Sequence, residues 1–212
     1  MSEPGPSAPP ASPPGPARGF AFSRWERTAV WAILLVFLAI GWNNIRHFAF
    51  MGQDWTLHCG YADLLRARPG DWFQVNTTSR PLVYWLANLC RRCTGAESAT
   101  VPYGDAHRAQ VLTAFICVVA NAAGLWFLHA ASRSFFSAAL LRIAALAFTA
   151  FLPVTIITAV VFAADTLTLL PFAVACWALG RCTAATALRP VIVFAGIAGI
   201  ALCAGEFAKF TF

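Results

Sequence analysis

The stretch Thr28–Ile45, TAVWAILLVFLAIGWNNI, contains no charged side chain, and its reading decides the fold. A bilayer core needs about 20 apolar residues of helix, and Ala29 to Phe50 is long enough to cross once. Arg18, Arg24 and Arg27 precede this run and it lacks a small-residue cleavage site, so it predicts an uncleaved first span with a cytoplasmic N-terminus. The composition agrees: 59% of the residues are hydrophobic, 11% are charged and the mean hydropathy is +0.65. An ordinary soluble domain has roughly a quarter charged residues.

Upstream, residues 1–24 are rich in Pro, Ala, Ser and Gly and predict a disordered cytoplasmic tail. Downstream, Ala109–Ser132 is the next uncharged run long enough for a crossing. Between Ile143 and Gly180 the only charge is Asp165, with Pro153 and Pro171 on either side. That length is nearly two spans, so it predicts two helices with a short turn near Asp165. A last uncharged run starts at Pro190 and ends at Gly205. The expected fold is therefore an all-α, multi-pass transmembrane domain over residues 25–212, with five spans near 29–50, 109–131, 138–157, 161–180 and 189–207 and an outer loop at 51–108. Arg133 with Arg142, and Arg181 with Arg189, then share the side of the basic tail, in keeping with the positive-inside rule. The sequence ends in an apolar Phe210-Thr211-Phe212 straight after the fifth run, which reads as an interrupted larger protein.

The net charge of +6 does not mark a nucleic-acid partner. Of the 15 basic residues 14 are arginine, scattered between apolar runs, which fits loop charges and contacts with anionic lipid or phosphate. The seven cysteines show one Cys-x-x-Cys, Cys90 and Cys93, with no second pair at zinc spacing. Cys59, Cys90 and Cys93 share the first loop and can pair in an oxidising compartment. Cys117, Cys176 and Cys203 sit in apolar runs as small hydrophobes. Asn121 and His129 in the second span read as helix-contact residues.

The first loop carries most of the groups capable of chemistry. If Gln53 to Leu65 is helical, Asp54, His58 and Tyr61 fall at i, i+4 and i+7 on one face. An acid, an imidazole and a phenol there can accept a proton, bind a cation or orient a sugar hydroxyl. The same segment also reads as an interfacial helix whose Trp55 and Tyr61 lie at headgroup depth. Pro69-Gly70 marks a turn, and a short helix is expected with Pro81 in its first turn. Arg80, beside that helix start, can contact a phosphate or a lipid headgroup. Asn76-Thr77-Thr78 matches a glycosylation acceptor. Asp165, an acid between two apolar runs, is either functional or at a water-exposed turn.

The order of Asp54 after the first span, Tyr61, Gly70-Asp71-Trp72 and Arg80-Pro81-Leu82-Val83-Tyr84-Trp85-Leu86 resembles the first periplasmic loop of bacterial GT-C class glycosyltransferases. These are the polytopic enzymes related to protein O-mannosyltransferases and to the aminoarabinose and lipopolysaccharide sugar transferases. Asp165-Thr166-Leu167 is similar to their acid at the start of a span, and Gly205-Glu206-Phe207-Ala208-Lys209 to the Gly and Lys ending of a later one. The resemblance covers roughly residues 25–212, on short motifs whose weight lies in their combination.

The resemblance implies a bacterial inner-membrane enzyme that transfers a sugar from a polyprenyl-phosphate donor to a lipid, glycan or protein acceptor on the non-cytoplasmic face. It assigns the catalytic carboxylate to Asp54 and a second acid to Asp165, the donor phosphate contacts to Arg80 and Lys209, and substrate positioning to His58, Tyr61 and Tyr84. The family often has two acids in a row after the first span and Lys-Pro-Pro before the aromatic pair. Here Trp55 follows Asp54 and Leu82 follows Pro81, so a divalent metal ion is an open cofactor and the donor preference can differ. The other readings are a catalytically inactive fragment, a membrane scaffold or a transporter subunit. The last needs polar residues along several spans, which are nearly bare of them.

Overall fold

The computed structural model describes residues 22–47, 81–95, 105–160 and 167–208. Within these the chain is helical and has no strand: α1 Arg24–His47, α2 Pro81–Thr94, α3 Asp105–Ser132, α4 Ala139–Phe151, α5 Pro153–Val160, α6 Leu169–Ala184 and α7 Leu188–Ala208. Three of them, α1, α3 from Arg108 and α7 to Glu206, are long and apolar enough to cross a membrane. A fourth crossing is available if α4 and α5, bent by 55° where they meet, count as one broken span. Pro153 explains the break, because it has no N–H to give the helix and its ring crowds the preceding turn. Helix α6 has 16 residues, about 24 Å of rise, which is short of a core about 30 Å thick.

Helix α1 starts earlier than its apolar run. Ser23 caps it, its hydroxyl accepting from the Glu26 N–H at 3.3 Å and its carbonyl from the Arg27 N–H at 3.1 Å. Ser23 and Glu26 thus have the S-x-x-E spacing of a helix start. The expected tail, residues 1–24, is corrected at its end, where Ser23 caps α1 and Arg24 belongs to it; residues 1–21 lie outside the described residues.

One stripe of α1, Glu26, Val30, Leu34, Phe37, Gly41 and Ile45, is buried, as the i, i+4, i+7 repeat of a helix face requires. It packs antiparallel to α3. Glu26 lies beside His129 near one end, while Trp42 meets Phe115 edge-to-face at 6.0 Å towards the other. Between them a Cβ on Gly41 would come within 2.6 Å of Val118. Since lipid tails are as apolar as leucine, contact between helices in a bilayer relies on such small residues and close packing. The α3–α6 seam follows the same rule: a Cβ on Gly124 would meet the Leu169 side chain at 3.1 Å and the Leu170 backbone at 3.2 Å. Helix α6 buries Pro171, Ala173, Ala175 and Ala178. Large apolar residues face outward, among them Leu35, Leu140, Phe148 and Ile200.

A knot of charge ties α1, α3 and α4 together at one end. Glu26, 2% exposed, accepts from Arg142 Nε at 2.9 Å and pairs with its Nη2 at 2.8 Å. Arg142 Nη1 donates to the carbonyls of Phe136 and Ser137 at 2.8 and 2.7 Å. The same guanidinium therefore orders the turn between α3 and α4. His129 Nε2 lies 3.3 Å from Glu26 Oε1, and Arg133 Nη2 is 3.7 Å from Oε2. Removing one partner from a buried ion pair strands the other, which costs about 3–5 kcal/mol.

Glu26→Ala should therefore lower the melting temperature in detergent by about 10 °C, whereas Glu206→Gln, at an exposed position, should leave it unchanged. Gly124→Val should force α3 from α6 at a cost of about 1–3 kcal/mol, read in the same melting assay.

Candidate functional site

The residues named from the sequence fall mostly outside the described residues: Asp54, His58, Tyr61 and Arg80 in 48–80, Asp165 in 161–166 and Lys209 in 209–212. Tyr84 belongs to α2, but its side chain is not among those described. What can be read directly is how the flanking helices are arranged.

Helix α2 starts at Pro81, as expected from its sequence, since proline suits the first helical turn. It packs on α3 and also touches α7. Its inner face buries Ala87, Cys90 and Arg91, while Leu82, Trp85 and Leu89 are exposed. A cleft of about 480 Å³ runs along the exposed side and is lined by Leu82, Trp85, Leu86, Leu89 and Arg92 among the described residues. Cys90 interacts with Thr113 on α3, which is 16 residues before His129, or about 24 Å along the helix. Helix α2 therefore sits well away from the Glu26 knot.

The first turn of α6 and the last turns of α7 also meet each other. A Cβ on Gly205 would touch the Pro171 ring at 3.7 Å. Further along, Trp177 meets Phe194 at 5.7 Å, as expected for an antiparallel pair. In the sequence Asp165 comes two positions before Leu167, and Lys209 directly follows Ala208. The elements leading into these two positions are thus neighbours.

The Glu26 knot was missed by the sequence reading, which assigned Arg133 and Arg142 to loop charge and His129 to a helix contact. The available signals were the Ser23–Glu26 cap spacing and Arg142 standing in the apolar run Phe135–Ala150. Phe22 covers the knot, stacked on the His129 ring at 5.3 Å with the Arg133 guanidinium 3.5 Å from its centroid. Burial lowers the Arg133 pKa from its usual value, and the Glu26 charge opposes that shift. With its carboxylate engaged and nearly closed to solvent, Glu26 holds helices together and is not free to act as a base. Asn121 is buried on α3, and its amide donates to the Cys117 carbonyl one turn back on the same helix at 2.8 Å.

Among the described residues no three His, Cys, Asp or Glu side chains come together as a metal site. Cys90 and Cys93 are both free thiols, not a disulfide; Cys59 lies outside the described residues. Burial pushes the Cys90 thiol pKa up, a rise that the Thr113 hydrogen bond partly offsets, and Cys93 is exposed. A maleimide reagent at neutral pH should modify Cys93 in the folded protein and reach Cys90 only after unfolding, as read by mass spectrometry of the α2 peptide.

Comparison with protein families, curated proteins and solved structures finds no match for this chain.

Proposed function

We propose that the chain is an integral membrane glycosyltransferase that moves a sugar from a polyprenyl-phosphate donor to an acceptor on the non-cytoplasmic face. The observation that carries this reading is the order of Asp54, Tyr61, Arg80-Pro81-Leu82-Val83-Tyr84-Trp85, Asp165 and Lys209 along a membrane chain. The meeting of the α6 start with the α7 end, next to Asp165 and Lys209 in sequence, supports it. In this reading the protein has five spans, with residues 161–180 as the fourth, and lies in a bacterial inner membrane with its N-terminus inside. Arg133, Arg142, Arg181 and Arg189 then flank the cytoplasmic ends.

The chemistry is a displacement at the sugar's anomeric carbon. Asp54 takes the proton of the acceptor hydroxyl while its oxygen forms the new glycosidic bond. The bond from the anomeric carbon to the phosphate oxygen breaks, and its electron pair leaves with the polyprenyl phosphate. Arg80 and Lys209 stabilise the charge that develops there. Tyr61, His58 and Tyr84 orient the sugar and acceptor, and Asp165 is the second acid. A divalent ion remains open as a cofactor.

The test is transfer of radiolabelled mannose or aminoarabinose from its polyprenyl phosphate by the full chain in proteoliposomes. Asp54→Asn should lower kcat by about 100-fold or more, while Arg80→Gln and Lys209→Met should weaken transfer with folding intact. Equal turnover by the Asp54→Asn variant would overturn the assignment of the base, and a wild-type protein that releases no sugar from either donor would count against the function.

A further inference from the structure

We propose that the groove between α1 and α3 binds an acyl chain of an anionic phospholipid whose phosphate is held by Arg24 and Arg27. The groove measures about 410 Å³, within the range of roughly 300–1,000 Å³ found for ligand clefts. Its walls are apolar, with Trp31, Leu34 and Leu38 on α1 and Ala122, Ala123 and Trp126 on α3. The two alanines keep its floor low between the tryptophans.

The dimensions suit one leaflet. From Trp31 to Leu38 the helix rises about 10 Å, against about 15 Å for half of the hydrocarbon core. Arg27, Trp31, Leu34 and Leu38 follow an i, i+4, i+7, i+11 pattern, so the groove wall and the arginine share one face of α1. Arg24 lies one turn further out. Trp25 and Trp31 are 53% and 58% exposed, at the depth where tryptophan favours the membrane interface.

The charge selects the headgroup. Arg24 and Arg27 are exposed and neither makes an ion pair among the described residues. The acid next to them in sequence, Glu26, is turned inward and held by Arg142. The outer surface of this end is therefore cationic above an apolar channel, the complement of a lipid with a net negative headgroup. The site is at the opposite end of the bundle from α2 and does not depend on the transferase reading.

Native mass spectrometry of the full chain, titrated with dioleoylphosphatidylglycerol or dioleoylphosphatidylcholine, tests this. The wild type should bind the phosphatidylglycerol more tightly, and excess inorganic phosphate should not displace it. Two cations at the membrane surface are together worth about 30-fold, so the double substitution Arg24→Gln with Arg27→Gln should remove about that much affinity for phosphatidylglycerol and less for phosphatidylcholine, whose choline charge offsets its phosphate. Ala123→Phe should fill the groove and weaken both lipids. Equal affinity of the wild type for the two lipids, displacement by phosphate alone, or arginine variants that still prefer phosphatidylglycerol would overturn the proposal. If Ala123→Phe fails to fold, the exposed arginine variants decide it.

Discussion

A carboxylate withdrawn from water at a membrane edge must be matched by cations, and Glu26 is matched by Arg142. The effective cost of burying each ion is several kcal/mol, so the pair persists only because every part of the Arg142 guanidinium is used. Two of its nitrogens face Glu26 and the third donates to two carbonyls in the turn that follows α3. The register of α1 against α4 follows. With Glu26 turned inward, Val30, Leu34 and Phe37 must share its face, and with Arg142 turned inward, so must Leu146 and Ala150.

From this end the bundle is closed by small residues. Gly41 admits Val118, and Gly124 lets the α6 backbone approach α3, which in turn brings Trp177 to Phe127 at 5.4 Å and Phe194 to Trp177. The chain of edge-to-face rings links α3, α6 and α7, and Arg181 lies 5.4 Å above the last ring. Helix α7 leans on α6 while most of its surface stays open, a state that an apolar helix tolerates in lipid and not in water.

The parts read correctly from the sequence are those set by local chemistry. Charge-free runs mark α1, α3 and α7, and Pro81 marks the start of α2. The turn expected near Asp165 lies outside the described residues; what the sequence did not show is the bend at Pro153 in the third apolar segment, and the described part of α6 has 16 residues. The knot was not readable for a different reason. Glu26 and Arg142 are 116 residues apart, and each looks like ordinary loop charge until the helices are packed. For the candidate site the sequence reading relied on motif order in polar connections, where no apolar stripe fixes which way a side chain faces. Asp54, His58 and Tyr61 share a helical face only if their segment is a helix.

The charge at the Glu26 end of the bundle is therefore structural. A catalytic carboxylate needs a free lone pair and a route to its substrate, and Glu26 has neither, since its oxygens face Arg142, Arg133 and His129 and its surface is 2% exposed. Under the transferase proposal the base is therefore another acid. Asp54 and Asp165, the acids that proposal uses, each adjoin an apolar run in the sequence. The knot instead joins α1, α3 and α4 at their shared end, and its Glu26–Arg142 pair sets which faces of α1 and α4 turn inward.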